Sequence, residues 1–167
     1  MLARILIICA LVIVPHAYAA DSAIDKRPPL LRALDGNWIM TGSVRGKPVE
    51  YRMTAAPTLQ NSFSELHMVD VQNPSKYEAQ VFIGTNSKKT ALYVHWLDIF
   101  GGEYSVPHGL GAVDGNVLQF TFPYESGSFK DTFSYHPETD EWDFVLESAK
   151  GDGTWSLFAR YSVRRVP

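Results

Sequence analysis

Apolar and polar residues alternate along the second half of the chain. Four stretches show this alternation with a period of two residues: 118–124, 129–135, 142–146 and 155–163. Successive side chains of a β-strand point to opposite faces, whereas a helix would need apolar residues at every third or fourth position. The pattern therefore predicts four strands, each with one apolar face turned toward a core.

The segments between these stretches have the composition and length of hairpin turns. Asp114-Gly115-Asn116 and Ser126-Gly127 suit tight turns that need a positive φ angle, and 136–140 and 150–153 are slightly longer polar loops. A parallel crossover needs about a dozen residues or more, so strands joined by such short loops must be antiparallel neighbours. The second half is therefore predicted to be an antiparallel meander.

The first half follows the same spacing less regularly. A helical turn is predicted at 30–34, and five further stretches have strand length: 38–44, 48–53, 63–71, 77–84 and 90–99. Residues 109–115 are rich in glycine and are predicted to form a turn. A meander leaves two exposed edges unless it closes on itself. We therefore predict an all-β fold, an antiparallel meander closed into a barrel of roughly eight to ten strands after a short N-terminal helical turn.

The first residues have the features of a secretory signal peptide. Arg4 supplies a positive charge, residues 5–14 are an apolar run, and Ala17-Tyr18-Ala19 has the small residues that signal peptidase accepts. A run of about ten residues is half the roughly twenty that a membrane-spanning helix needs. We therefore expect residues 1–19 to be removed, an extended leader over 20–29 and a single β-barrel domain over 30–167. The mature protein would be exported to the periplasm or the extracellular space, without an integral membrane span.

Composition excludes several functional classes. The chain has 167 residues, of which 46% are hydrophobic and 20% charged, and its net charge of −3 provides no basic surface for nucleic acid. Its single cysteine, Cys9, lies in the predicted signal peptide, so we expect neither disulfides nor cysteine-ligated metals in the mature protein. The sequence has no nucleophile elbow, zinc-binding helix motif or Walker loop. We therefore predict no catalytic residue and no cofactor.

The start of the first predicted strand carries a family signature. Gly36-Asn37-Trp38, after the predicted helical turn, resembles the Gly-x-Trp motif that opens the first strand of lipocalins and other calycins. The pattern of residues 115–148 is also similar to that of lipocalin-like proteins exported by bacteria. The resemblance implies a calycin barrel in which Trp38 plugs the closed end. It further implies that an arginine near the last strand, Arg160 or Arg164, stacks over this tryptophan.

The predicted strand at 90–99 brings polar groups close to the barrel interior. Both of its faces are largely apolar, so two arrangements are open: either Tyr93 and His95 point inward, or the alternate residues, including Trp96, do. The first arrangement would give the lumen a polar group beside an aromatic wall. The second would leave His95 in solvent.

Asp131 interrupts an otherwise aromatic face of its predicted strand. Burying a carboxylate without a partner costs several kcal/mol. The residue is therefore expected to pair with a nearby lysine or arginine, to lie at the rim of the barrel, or to orient a ligand in the lumen.

The segment 100–109 is longer and richer in glycine than a hairpin requires. Such loops are often binding lids, and Glu103 and Tyr104 lie within this one. An ordinary flexible connection is the alternative. Together with the aromatic strand faces, these observations define the candidate ligand-binding residues: Tyr93, His95, Trp96, Glu103, Tyr104, Phe120, Phe122, Asp131 and Tyr135.

A weak candidate metal site consists of Glu65 and His67, which share one face of a predicted strand. Imidazole and carboxylate groups suit zinc or iron when a third ligand joins them. The simpler interpretation is an outward-facing polar pair on a half-exposed sheet.

These observations favour a carrier that holds a small apolar or amphipathic ligand in the barrel lumen, as a monomer or dimer. The first alternative is a non-catalytic module that binds another envelope protein through an exposed apolar patch, for which Phe82 and Phe158 are candidates. The second is an enzyme, or a haem or metal protein, that uses His95, Asp131 or the pair of Glu65 and His67. Haem binding would require one histidine to point into an apolar pocket.

Overall fold

The computed structural model describes residues 24–166. The predicted signal peptide lies outside these residues. A short helix α1, Pro29–Ala33, precedes ten strands, and a single 3-10 turn, Gly102–Ser105, lies between the fifth and sixth. The strands are β1 Gly36–Val44, β2 Lys47–Thr58, β3 Phe63–Asp70, β4 Glu78–Thr85, β5 Ala91–Asp98, β6 Gly109–Asp114, β7 Val117–Phe122, β8 Phe129–His136, β9 Glu141–Ala149 and β10 Trp155–Arg165.

Every strand pairs antiparallel with its neighbours in the sequence, and β1 pairs with β10 to close the barrel. The closing ladder runs from the pair of Trp38 and Arg165 to the pair of Val44 and Ala159. The prediction of an all-β meander closed into a barrel is therefore confirmed. Within residues 24–166, neither helical segment has the length and apolar character that crossing a membrane requires.

The glycine-rich segment 109–115 was predicted to be a turn, and this was wrong for 109–114, which form β6, whereas Gly115 lies in the turn that follows. Gly111 lies opposite Phe120 of β7. A Cβ atom on Gly111 would lie 1.9 Å from the carbonyl oxygen of Gln119, so the two strands approach too closely for any side chain at this position. The glycines thus serve close backbone packing between strands, which the sequence pattern alone does not distinguish from a turn.

The alternation predicted for the last strand is also interrupted. A register shift lies between Leu157 and Ala159 of β10. Because a bulge changes which side chains face inward, Phe158 turns toward the barrel interior and Leu157 is exposed. Phe158 is therefore not part of an outward apolar patch.

One end of the barrel is sealed by α1 and the start of β1. Leu31 and Leu34 are fully buried there, and the indole Nε1 of Trp38 donates a 2.7 Å hydrogen bond to the carbonyl of Leu34. The guanidinium carbon of Arg165 lies 4.1 Å from the Trp38 ring centroid. The same guanidinium donates 2.8 Å to the carbonyl of Asp35, which ties the last strand to the loop before the first.

The structure corrects the identity of the stacking arginine, which was predicted to be Arg160 or Arg164. Arg165 lies directly opposite Trp38 in the ladder and has the inward parity of Tyr161 and Val163. Arg160 and Arg164 have the opposite parity and are exposed, and Arg164 pairs with Glu141 on the outer face. Because successive side chains of a strand point to opposite faces, a shift of one residue decides whether an arginine points toward Trp38 or toward solvent.

The described part of the predicted leader, residues 24–29, also closes this end. Arg27 is only 2% exposed, and its guanidinium forms ion pairs of 2.8 Å with Asp25 and 2.7 Å with Asp35. It also donates 3.0 Å to the hydroxyl of Ser64, which is fully buried on β3. The hydrogen bond from Arg27 lowers the pKa of Asp25. Residues 24–29 of the predicted extended leader are therefore packed against the barrel as part of the folded structure.

Replacing Arg27 by alanine should destabilise the protein by about 2–3 kcal/mol, because two carboxylates and a buried hydroxyl would lose their common partner. Urea unfolding at neutral pH measures this change. Arg52 is exposed on β2, and its alanine variant is the matched control, with an expected change below about 0.5 kcal/mol. Equal unfolding midpoints for the two variants would contradict a structural role for Arg27.

Candidate functional site: the barrel lumen

A cavity of about 770 Å³ occupies the barrel at the end opposite α1. Its walls come from the end of β1 and the start of β2, from the corresponding ends of β3, β5, β7, β8, β9 and β10, and from loops that include Tyr77 just before β4. The plug of Trp38 and the leucines of α1 closes the far end. Within residues 24–166, the cavity therefore opens at one end of the barrel, which we call the mouth.

Aromatic residues are the largest group in the cavity wall. Eleven aromatic residues line it: Tyr51, Tyr77, Trp96, Phe100, Tyr104, Phe122, Tyr124, Phe129, Phe144, Phe158 and Tyr161. Methionine side chains of Met40 and Met68 complete the deep part. The rings pack on one another, as in the stacked pair of Trp96 and Phe144 at 6.4 Å between centroids. Such a surface suits an apolar ligand.

Asp131 is the one carboxyl group in the deep part of this wall. It lies on β8 between Phe120 of β7 and Leu146 of β9, and only 2% of its surface is exposed. Within residues 24–166, no group hydrogen bonds to its Oδ1 atom. Burial raises the pKa of Asp131 to about 8, because the charged form loses its hydration without gaining a partner. The carboxyl is therefore mostly protonated at neutral pH.

Three tyrosines provide further polar groups in the lumen. The Tyr51 ring centroid lies 5.5 Å from that of Tyr77 and 5.7 Å from that of Tyr161. The Nε1 atom of Trp96 donates 3.2 Å to the Tyr77 hydroxyl, which in turn donates 3.4 Å to Asp98. Burial raises the pKa of each of these tyrosines. They remain neutral and can donate or accept hydrogen bonds to a ligand.

The mouth carries charged side chains of both signs. Arg45, Lys47 and Lys76 line it and are exposed, and the Arg45 guanidinium lies 4.9 Å from the Phe158 ring centroid. Asp70 is buried beneath the loop after β3 and accepts hydrogen bonds from the backbone of that loop, including the amide of Lys76 at 3.3 Å. Asp98 accepts from the amide of Phe100 at 3.0 Å. These bonds fix the loops that border the opening.

The long loop after β5 forms one side of the mouth. Phe100 and Tyr104 line the cavity although more than half of each side chain is exposed, and their ring centroids are 6.5 Å apart. Glu103 lies in the 3-10 turn of this loop, is exposed and does not line the cavity. The loop therefore brings aromatic side chains, and not a carboxylate, to the opening.

The structure resolves the two arrangements left open for β5. Leu92 and Val94 are fully buried and Trp96 lines the cavity, so this set faces inward. Tyr93 and His95 face solvent. They are not placed to meet a ligand in the lumen, and His95 instead lies 5.8 Å from His108 between ring centroids on the outer surface.

The remaining candidates divide between the lumen and the core. Phe122 and Asp131 line the cavity, together with Trp96 and Tyr104 described above. Phe120 is inward but deeper, packed in the core at 6.3 Å from Phe133. Tyr135 is near the closed end, where its hydroxyl donates 3.1 Å to Asp140. Neither of the latter two lines the cavity.

Glu65 and His67 lie on the outer face of β3. The imidazole Nε2 of His67 is 2.7 Å from a carboxylate oxygen of Glu78 on β4. Among the described residues, no three metal-ligating side chains lie close enough together to hold an ion. The four histidines of residues 24–166 are all outside the cavity lining, so none points into the apolar pocket that the haem alternative requires.

Sequence reasoning missed Tyr51, Tyr77 and Tyr161 as ligand-facing groups. The signal was present for Tyr51 and Tyr161, because each is an inward position of an alternating strand. Tyr77 lies just before β4, in a loop segment that alternation does not describe. Tyr77 is placed in the lumen because its loop folds over Asp70. The backbone amide of Asp70 donates a 2.9 Å hydrogen bond to the carbonyl of Tyr77.

The raised pKa of Asp131 predicts a specific pH dependence of stability. Between about pH 4 and pH 8 the folded protein holds one more proton at this site than the unfolded chain, so the free energy of unfolding falls as pH rises, by up to about 1.4 kcal/mol per pH unit. Asp131→Asn removes this contribution and should gain stability relative to the wild type as pH rises through that window. Urea unfolding at several pH values measures the difference, with Asp114→Asn at an exposed position as control. A difference independent of pH would contradict a buried, unpaired carboxyl.

Among the comparisons with known proteins, only the comparison with solved structures finds a match. No family model and no curated protein matches the chain. Among solved structures, the crystal structure of Rv2717c from M. tuberculosis is similar, with a TM-score of 0.58 and 12% sequence identity. The match covers 84% of this chain and 99% of that one. At this identity the likeness shows a shared barrel fold and nothing about the ligand.

Proposed function

We propose that this protein is an exported, lipocalin-like binding protein, periplasmic or extracellular, that holds a small apolar or amphipathic ligand in the barrel lumen. The observation that carries the proposal is the cavity of about 770 Å³, closed at one end and lined by more aromatic side chains than side chains of any other kind. Pockets for small molecules in proteins typically have volumes of about 300–1,000 Å³ and mostly apolar walls with a few polar groups.

The arrangement of polar groups supports an amphipathic ligand. The lumen offers hydroxyls of Tyr51, Tyr77 and Tyr161 and the carboxyl of Asp131, all within an otherwise apolar wall. A few fixed polar groups give orientation and specificity, while the apolar area provides affinity. The sealed end makes the mouth the only route by which a ligand could reach them through the described part of the barrel.

Filling the lumen should abolish ligand binding without changing the outer surface. Val49 of β2 and Leu146 of β9 line the cavity, and each has an outward neighbour, Glu50 and Val145. We expect Val49→Trp with Leu146→Trp to weaken binding of the uncharged dye Nile red at least about tenfold, because the added indoles occupy the space it needs. The matched control is Glu50→Trp with Val145→Trp, which should bind within about twofold of the wild type. Fluorescence titration measures both.

A wild-type measurement does not depend on how the variants fold. Nile red should perturb the amide resonances of Tyr51, Asp131 and Leu146 more than those of the outward residues beside them in a two-dimensional NMR spectrum. Equal binding by both double variants, or perturbations confined to the outer face, would contradict a lumen site.

Export is tested separately from binding. Expressed with its full N-terminus in a bacterial host, the chain should be processed after Ala19, and intact-mass measurement of the extracytoplasmic fraction should give a protein that begins at Ala20. Ala19→Arg should block this processing, because signal peptidase accepts small residues at the cleavage site. An unprocessed wild-type chain would contradict the export part of the proposal.

A further inference from the structure

We propose that the lumen selects lipophilic organic cations, ligands whose apolar body fills the cavity while an amine or quaternary ammonium group lies beside Asp131. This inference rests on the proposed function and adds the chemical class of the ligand. Two features of the wall support it independently: a buried carboxyl without a partner and the aromatic faces around it.

The Asp131 carboxyl has an unmet electrostatic requirement. Buried carboxylates in proteins are usually paired with a cation or satisfied by hydrogen bonds. The ladder neighbours of Asp131, Phe120 and Leu146, are apolar, and no lysine or arginine of residues 24–166 forms an ion pair with it. Folding has already removed this group from water. A ligand cation that reaches it must lose its own hydration and displace the carboxyl proton, but the carboxyl itself has no further hydration to lose.

The aromatic wall favours the same charge. The faces of aromatic rings carry negative electrostatic potential and attract cations, most strongly when the site is desolvated. Tyr161 and Tyr124 line the same cavity as Asp131, and burial, with a smaller contribution from the charge of Asp131, raises the pKa of both. Cations with alkylated or delocalised charge are weakly hydrated. They combine low desolvation cost with attraction to the rings and to the carboxylate.

An anionic ligand is less well served by this cavity. The cations of the mouth, Arg45, Lys47 and Lys76, are exposed and hydrated, and exposed charges contribute little to binding. Asp98 borders the same opening. An anion placed deeper would meet the unpaired Asp131, whereas an anion held at the mouth would leave that carboxyl unpaired.

Proton release accompanies cation binding in this arrangement. Burial raises the pKa of Asp131, so the empty protein holds a proton there at neutral pH, and an ammonium group must displace it to form the ion pair. Tyr124 and Tyr161 line the cavity with Asp131, and burial raises the pKa of each above its usual value, so neither titrates in this range. We expect about one proton to be released per cation bound at pH 7.

The test uses three probes that share a naphthylbutyl body and end in trimethylammonium, in its uncharged carbon isostere tert-butyl, or in carboxylate. Isothermal titration calorimetry at pH 7 should show the trimethylammonium probe binding the wild type at least about tenfold more tightly than the isostere. Asp131→Asn should lower that preference at least about threefold, leaving the part that the aromatic rings supply, and should leave isostere affinity within about threefold. Asp114→Asn, at an exposed position on β6, is the matched control and should retain the preference.

The outcomes separate this inference from the proposed function. Equal affinity of cation and isostere for the wild type, or a preference that is unchanged in Asp131→Asn, overturns the cation inference while lumen binding stands. Tightest binding of the carboxylate probe also overturns it. Binding of no probe, with Nile red also unbound, overturns the proposed function itself. Calorimetric titration of the wild type with the cationic probe, in two buffers of different ionisation enthalpy, measures the number of protons released and needs no variant. If no proton is released, the ion pair with Asp131 is contradicted.

Discussion

A barrel of ten strands encloses more space than its inward side chains can fill, and the rest of this structure follows from that constraint. Barrels of about eight strands have interiors just wide enough to be filled by side chains, and diameter grows with strand number. In this ten-stranded barrel the two ends of the interior differ. A plug of Trp38 and the leucines of α1, held by Arg165 and Arg27, fills one end, and the other remains a cavity.

The buried ionisable group at one end of the barrel is paired, and the one at the other end is not. At the closed end the buried guanidinium of Arg27 is satisfied by Asp25, Asp35 and Ser64, so its burial contributes to stability. At the open end the buried carboxyl of Asp131 has no such partner, and its burial costs stability at any pH where it would ionise. A protein selected for stability alone would pair or replace such a group, which is why an unsatisfied polar atom in a cavity wall calls for a functional explanation.

Local patterns predicted the fold well and the site in part. Alternation identified the four C-terminal strands and the aromatic face that contains Asp131. It did not identify β6, because Gly111 serves close strand packing and not a turn. The resemblance to calycins implied Arg160 or Arg164 at the position that Arg165 occupies, although Arg165 continues the inward parity of Tyr161 and Val163. Alternation also placed Phe158 outside, because the bulge in β10 is a property of the ladder and not of residue type.

The sequence by itself determined the antiparallel meander, since alternation sets the strands and short loops allow only antiparallel neighbours. It also determined that a carboxyl would share a face with aromatic rings at 129–135. Only the tertiary structure decided which face of β5 points inward, since both faces are apolar and either could be buried. It alone brought Tyr51, Tyr77 and Tyr161 together with Asp131, because these residues meet across the lumen only when β1 pairs with β10.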